Sequence, residues 1–252
     1  MNRLYAFLPC YNEEKNIGHL IDEWVEQTDA LAEEGYELQV RAIDDCSTDE
    51  TKAVILEKSK QYPAQVALIA HEVNKNLRGG LNTSISYFTA QAQQGDLMAL
   101  MDGDDTHHPK YIVKMIQKMK ESACDCVIAS RYCGDSGVVG VAAHREFMSD
   151  MAKLYYSFML RVPNVKDYTC GYRVYTDGCI RRLVDRFGTD PIQEKSFACM
   201  MELLYKLYLS GATFDEVGFE LRYDNKQGES KMKVFTTMRK SLTTACKLRF
   251  MK

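Results

Sequence analysis

Short apolar runs alternate with longer stretches in which apolar residues return every three or four positions, and this alternation fills the first half of the chain. A short apolar run bounded by turn formers predicts a buried strand, and the three-to-four spacing predicts an amphipathic helix. Strands are therefore expected over residues 3–8, 38–43, 66–70, 97–101 and 126–129, with helices over 15–31, 49–60, 80–92 and 109–120. Such a βαβα rhythm predicts an α/β fold with a mostly parallel central sheet flanked by helices. After residue 131 the rhythm changes. A glycine-rich stretch, 134–140, reads as a loop. Helices are expected over 145–160 and 197–209, a strand over 213–223, and a basic helix within 231–252. With no linker and no internal repeat, a single domain is expected over 1–252, its parts being 1–132, 133–230 and the basic helix at 231–252.

Composition changes this picture little. The chain has 252 residues, 46% hydrophobic and 27% charged, with a formal net charge of −3. That balance gives no global reason to expect a nucleic-acid partner. Nine cysteines occur, an odd number with no CxxC spacing, which argues against a zinc cluster or a disulfide framework and for reduced thiols in a cytoplasmic protein. The apolar start of the chain is short for a signal peptide and is interrupted by Pro9. No stretch approaches the ~18 apolar residues of a membrane span.

Polar residues gather just after the expected strands, at 9–14, 44–49, 102–108 and 130–131. In open parallel sheets ligands bind at the carboxyl ends of strands, so these clusters converge on one rim. Asp102-Gly103-Asp104 is the most informative of them. Two carboxylates there repel each other unless a cation compensates, and a hard divalent ion, Mg²⁺ or Mn²⁺, would also clamp a diphosphate. The alternative is a solvated acidic turn. Asp44 and Asp45 can accept hydrogen bonds from a base or ribose, while Ser47 or Thr48 can cap the following helix, with Asp49 in its first turn. Tyr11 offers a flat face to a nucleobase. His107 and His108 precede Pro109 and read as a helix start rather than a metal pair.

In combination these motifs identify a family. Pro9-x-Tyr11-Asn12-Glu13, Asp44-Asp45-x-Ser47-x-Asp49 and Asp102-x-Asp104 resemble family 2 glycosyltransferases with the GT-A fold. Ser130-Arg131-Tyr132, Arg145 with Ser149, Asp167-Tyr-Thr-Cys-Gly-Tyr-Arg173 and Gly228-Glu-Ser-Lys231 resemble the dolichyl-phosphate (polyprenyl-phosphate) mannose synthase branch. The resemblance runs in order from about residue 3 to 235. It implies that Pro9, Tyr11, Glu13, Ile43 and Asp45 hold the nucleoside of a nucleotide-diphosphate sugar. Asp102, Gly103 and Asp104 would sit at the diphosphate, with Asp104 the direct metal ligand and Thr106 a further oxygen donor beside Asp102. Arg131 and Lys231 would approach the diphosphate, and Arg145 with Ser149 the phosphate of a lipid acceptor. Residues 1–132 become the nucleotide-sugar half and 133–230 the acceptor half. The sequence departs from the branch at Asn225, where Arg is usual, at Thr106, and at Asn76 and Arg78, where glycines are common.

An acceptor phosphate is already anionic near neutral pH, so transfer to it needs positioning and leaving-group stabilisation rather than a base. A hydroxyl acceptor on a glycan would need one, and Asp167 and Glu202 are the candidates, Glu202 having the alternative of a helix residue paired inside the fold. A third reading is a non-catalytic nucleotide-sugar-binding scaffold. From Lys231 to Lys252 there are seven basic residues and no acidic one. Val234, Phe235, Met238, Leu242, Ala245 and Cys246 recur between them at helical spacing. That helix either lies on an anionic membrane surface at the inner face of a membrane or packs its stripe on the domain, in which case a membrane-protein partner supplies the anchor.

Overall fold

The structure, a computed structural model, describes residues 1–134, 136–139, 143–222 and 234–251. In chain order its strands are β1 (Asn2–Cys10), β2 (Tyr36–Asp44), β3 (Val66–Ala70), β4 (Leu97–Leu100), β5 (Cys126–Ser130), β6 (Gly137–Val139), β7 (Arg173–Thr176), β8 (Phe214–Gly218) and β9 (Glu220–Arg222). Its helices are α1 (Ile17–Val25), α2 (Thr28–Glu33), α3 (Thr51–Gln61), α4 (Asn76–Gln91), α5 (Ile112–Ser122), α6 (Ala143–Leu160), α7 (Asp177–Phe187), α8 (Cys199–Leu209) and α9 (Val234–Arg249).

Seven strands form one sheet in the order β3-β2-β1-β4-β7-β5-β8, and β6 pairs with β9 in a small second sheet. All pairs are parallel except those of β7, which runs antiparallel to both β4 and β5. The sheet is thus mostly parallel, as the alternating rhythm predicts. Leu4 to Leu8 of β1 are buried without a break, so both faces of the sheet are covered. Strand order reverses at β1: β2 lies on one side and β4 on the other. Such a switch point leaves a crevice at the carboxyl ends of the two strands, where ligands bind in open α/β sheets.

Several boundaries differ from the expected ones, each for a local reason. The single helix expected over 15–31 is two helices. Gln27 Nε2 donates to the Glu23 carbonyl and Thr28 Oγ1 to the Val25 carbonyl, so side chains take acceptors near the end of α1 and the chain turns. α4 begins at Asn76, a turn earlier than expected, with φ 60° at that residue. Asparagine tolerates that region, and the glycine pair after it lies inside the helix, Gly80 against the Pro9 ring. α3 is preceded not by a Ser47 or Thr48 cap but by Asp49, whose Oδ1 accepts from both the N–H and the hydroxyl of Thr51. The expected loop at 134–140 contains β6. The strand expected over 213–223 divides at Phe219, between β8 and β9, and joins two sheets; Tyr223 lies outside the described residues. β7 and α7 have no counterpart in the expectations. Among the described residues, no helix is long and apolar enough to cross a membrane.

Candidate active site

The crevice floor is built where the loops after β1 and β4 meet. The Gly103 N–H donates to the Pro9 carbonyl, extending the ladder beyond the strands. A Cβ on Gly103 would lie 2.8 Å from Cys10 Cβ and 3.1 Å from the Pro9 oxygen, so only glycine fits this close approach. Asp102 and Asp104, on either side, are half-buried. Asp104 Oδ1 accepts the Thr106 hydroxyl at 2.7 Å and the Thr106 N–H at 3.3 Å. Thr106 Oγ1 in turn lies 3.1 Å from His107 Nδ1, and His107 Nε2 lies 3.5 Å from Cys170 Sγ. One assignment satisfies all of them: the thiol donates to Nε2, Nδ1–H donates to Thr106, and Thr106 donates to Asp104. His107 stacks on Phe219, and burial pushes its pKa down to about 4, so it is a neutral packing residue at pH 7.

The loops after β1 and β2 are stitched together by their own motif residues. Asn12, at φ 53°, donates its N–H to Ser47 Oγ and accepts the Thr48 N–H on its side chain. The Glu13 N–H donates to Thr51 Oγ1 and the Glu14 N–H to Asp49 Oδ2. The Glu13 carboxylate accepts from Asn16 Nδ2. Ser47 and Asp49 therefore shape the rim rather than face a ligand. Tyr11, with 38% of its surface exposed, stands at the mouth. Ile43 is buried in β2 behind it, and Asp45 follows at the strand end.

Asp45 brings in residues that the sequence reading did not single out. Its Oδ1 accepts from His71 Nδ1 at 2.7 Å and from the Lys75 N–H at 2.8 Å, and His71 Nε2 reaches Thr83 Oγ1 at 2.8 Å. His71 thus ties the ends of β2 and β3 to α4. Its position directly after the third apolar run was the signal that could have flagged it. A cavity of about 300 Å³, lined by Lys75, Arg78, Asn82, Thr83, Asp190 and Gln193, adjoins this group and presents two cations.

Opposite, residues 167–173 form a wall in which nearly every polar group has an internal partner. Asp167, fully buried, takes the Arg131 guanidinium on both oxygens at 2.7 and 2.8 Å, and Thr169 Oγ1 accepts a further bond from Arg131. Burial alone would raise the Asp167 pKa, but the Arg131 charge and hydrogen bonds outweigh it and hold the carboxyl at about 2. Gly171 lies against Asp102: a Cβ there would come within 2.6 Å of the carboxylate. Tyr172 donates its hydroxyl to the Pro109 carbonyl. Arg173, also fully buried, donates to the Met200 and Tyr168 carbonyls. Arg131, expected at the diphosphate, pairs with Asp167 through Nε and Nη2. Glu202 is likewise committed: it pairs with Lys206 at 2.7 Å and accepts the N–H groups of Gln193 and Glu194. Both carboxylates named as candidate bases thus have internal cationic partners. The side chains of Arg145 and Ser149, on α6, and the whole of Lys231 lie outside the described residues.

A family model described as glycosyl transferase family 2 matches residues 5–190. The chain belongs to glycosyl transferase family 2. Over 232 residues it is 28% identical to a dolichol-phosphate mannosyltransferase of Pyrococcus furiosus, a match that covers 92% of this chain and 59% of that protein. The chain therefore spans well under two thirds of that relative. An uncharacterized protein of Methanocaldococcus jannaschii is 23% identical over 176 residues, 68% of this chain and 70% of that one. Among solved structures, the chain resembles glucosyl-3-phosphoglycerate synthase of Mycobacterium tuberculosis in complex with Mn²⁺, UDP and phosphoglyceric acid. The TM-score is 0.71 at 14% identity, covering 100% of this chain and 80% of that one. A second structure of that enzyme, with Mn²⁺ and UDP-glucose, gives 0.66 at 15%, covering 98% and 79%. These likenesses establish the GT-A architecture of the family 2 chain.

Proposed function

We propose that this family 2 glycosyltransferase moves a hexose, with inversion, from a GDP- or UDP-linked sugar to a polyprenyl phosphate, using Mg²⁺ or Mn²⁺. The observation that carries the choice of acceptor is the commitment of both candidate bases. Asp167 is locked to Arg131 and Glu202 to Lys206, so a hydroxyl acceptor would find neither to take its proton, whereas a phosphate oxygen needs none. The likeness to the Pyrococcus dolichol-phosphate mannosyltransferase supports the same acceptor class, and the fold likeness to a UDP- and Mn²⁺-bound transferase supports the donor class and the metal.

The donor set fits a divalent ion. Asp102, Asp104 and Thr106 are hard oxygen donors gathered at one strand end, and the missing side chain at Gly171 keeps room for the Asp102 carboxylate. When bound there, the ion would neutralise charge building on the departing diphosphate. The chain's own residues do the rest. Pro9, Tyr11, Glu13, Ile43 and Asp45 hold the nucleoside, with Tyr11 supplying a stacking face. Asp102 and Gly103 line the diphosphate position, and Lys75 and Arg78 add positive charge from the adjoining cavity. Arg145 and Ser149 are assigned to the acceptor phosphate and Lys231 to the diphosphate. Arg131 approaches the diphosphate and positions the wall through Asp167.

The acceptor must be met at a lipid surface, and α6 offers a contact. Met151, Leu154 and Phe158 recur at helical spacing on it with 50, 67 and 67% of their surface exposed. α9 packs beside α6 and buries Ala245 and Leu248 against the core, while its exposed residues include Lys240, Lys247 and Arg249. Of the α9 stripe, Leu242 and Ala245 turn inward and Cys246 is exposed, while the side chains of Val234, Phe235 and Met238 lie outside the described residues; α6 carries an exposed stripe. An apolar stripe beside basic residues suits an anionic membrane surface. The test is transfer from GDP- and UDP-linked mannose and glucose to a short-chain polyprenyl phosphate, with Mn²⁺ or with excess EDTA. Metal-dependent appearance of a glycosylated lipid phosphate is expected; full turnover in EDTA, or none with any donor, overturns the reading.

A further inference from the structure

Adjacent carboxylates in the loop after β4 turn to different partners. Asp104 bonds Thr106, whereas Asp105, buried and at φ 60°, places Oδ2 3.1 Å from His19 Nδ1 on α1. One helical turn beyond His19, Glu23 places Oε1 3.9 Å from the same nitrogen. The three ligand atoms of His19, Glu23 and Asp105 lie within 4.8 Å of one another. Around a tetrahedral ion with bonds of about 2.0–2.1 Å, neighbouring donors stand about 3.3 Å apart. One edge already meets that spacing, and side-chain movement in His19 and Glu23 closes the others.

A further observation points to a cation. Glu23 is 9% exposed, and its Oε2 is buried without a hydrogen-bond partner among the described residues. A buried carboxylate oxygen in that state is costly unless a proton or a cation meets it. His108 borders the cluster. Its Nδ1 accepts the Lys110 N–H at 3.1 Å, which leaves the proton on Nε2, and Nε2 lies 3.3 Å from Glu23 Oε1. His108 therefore borders Glu23 with a protonated nitrogen and does not compete as a ligand through it.

We propose that His19, Glu23 and Asp105 form a second divalent-metal site, one that takes a Zn²⁺-class ion and is separate from Asp102 and Asp104. One imidazole and two carboxylates suit a borderline first-row ion, and three protein ligands leave a position open. A cavity of about 140 Å³ lined in part by Asp105, His108, Lys110 and Glu220 adjoins the cluster. Bound there, the ion fastens α1 to the loop that carries the diphosphate-facing carboxylates.

The test uses the untagged full-length chain, stripped with EDTA and titrated with Zn²⁺ by calorimetry, alongside His19→Ala, Glu23→Gln and Asp104→Ala. Metal content is counted after gel filtration. His19 is 63% exposed at its side chain, so its removal leaves the packing intact. Wild type and Asp104→Ala are expected to retain a zinc equivalent whose affinity falls by roughly 100-fold or more in His19→Ala and Glu23→Gln. A zinc-soaked crystal should show anomalous density about 2.1 Å from these three residues. Equal zinc affinity in wild type and both site variants, loss of the equivalent in Asp104→Ala, or no zinc retained by wild type overturns the proposal.

Discussion

The loop after β4 and the wall at 167–173 are made from the same kinds of residue and behave in opposite ways. Both contain a carboxylate, a glycine and hydroxyl groups, and both border the same crevice. In the wall, Asp167 is fully buried and bound on both oxygens by Arg131, and Arg173 is buried among carbonyls. In the loop, Asp102 and Asp104 stay half-buried at the strand end. The difference teaches that a charged motif beside a site can serve two ends. In the wall, Asp167 and Arg131 neutralise each other and fix geometry; under the proposed function, the loop carboxylates meet a metal and a diphosphate.

Removing one partner of the wall pair tests this most strongly. Asp167→Asn keeps the shape but leaves Arg131 uncompensated, and should destabilise the protein by about 3–5 kcal/mol in denaturant unfolding. A loss under ~1 kcal/mol would make the wall dispensable. The same variant sharpens the comparison through pH. The folded Asp167 carboxyl sits at about 2, below its unfolded value of ~3.9. Its contribution to stability is therefore present above roughly pH 4 and is lost as pH falls through about 2. Wild type should lose on the order of 2 kcal/mol across that window relative to Asp167→Asn, in which the slope is absent.

The converse change belongs to the loop. Asp104→Asn should lower transfer by roughly 10²–10³-fold while unfolding shifts by less than ~1 kcal/mol. A variant that unfolds easily yet turns over normally would put Asp104 in the wall's class. Gly171→Ala joins the two regions, because its methyl group meets the Asp102 carboxylate. It should destabilise by about 1–3 kcal/mol and slow transfer as well. Unchanged kinetics in this variant would separate wall from loop. The smallest effect is expected at the membrane: Leu154→Asp on α6 should weaken sedimentation with anionic liposomes and leave stability within ~0.5 kcal/mol. Wild-type protein that ignores such liposomes at low salt would remove α6 from the account.

How much was legible in the sequence follows the same divide. Parallel strands buried on both faces read as apolar runs, so β1 to β5 appeared at nearly their observed bounds. β7 did not. It is four residues long and begins with a buried arginine, a composition that no apolar-run rule selects. α7 was readable: Ile180, Leu183, Val184 and Phe187 keep helical spacing, and Thr176 caps it by accepting the Cys179 N–H. At the site, the strand-end clusters marked the rim because the chemistry follows the strands. Which carboxylates find partners across the fold could not be read, since Arg131 with Asp167 and His19 with Asp105 are pairs made by the fold.

The claim that the acceptor brings its own negative charge can be measured directly. Equal amounts of a polyprenyl phosphate and the matching polyprenol, which differ only in the phosphate, compete for one enzyme, donor and Mn²⁺, and the products are resolved by mass spectrometry. The account predicts sugar on the phosphate and essentially none on the alcohol. Comparable glycosylation of the polyprenol would contradict it and require a base that neither Asp167 nor Glu202 provides.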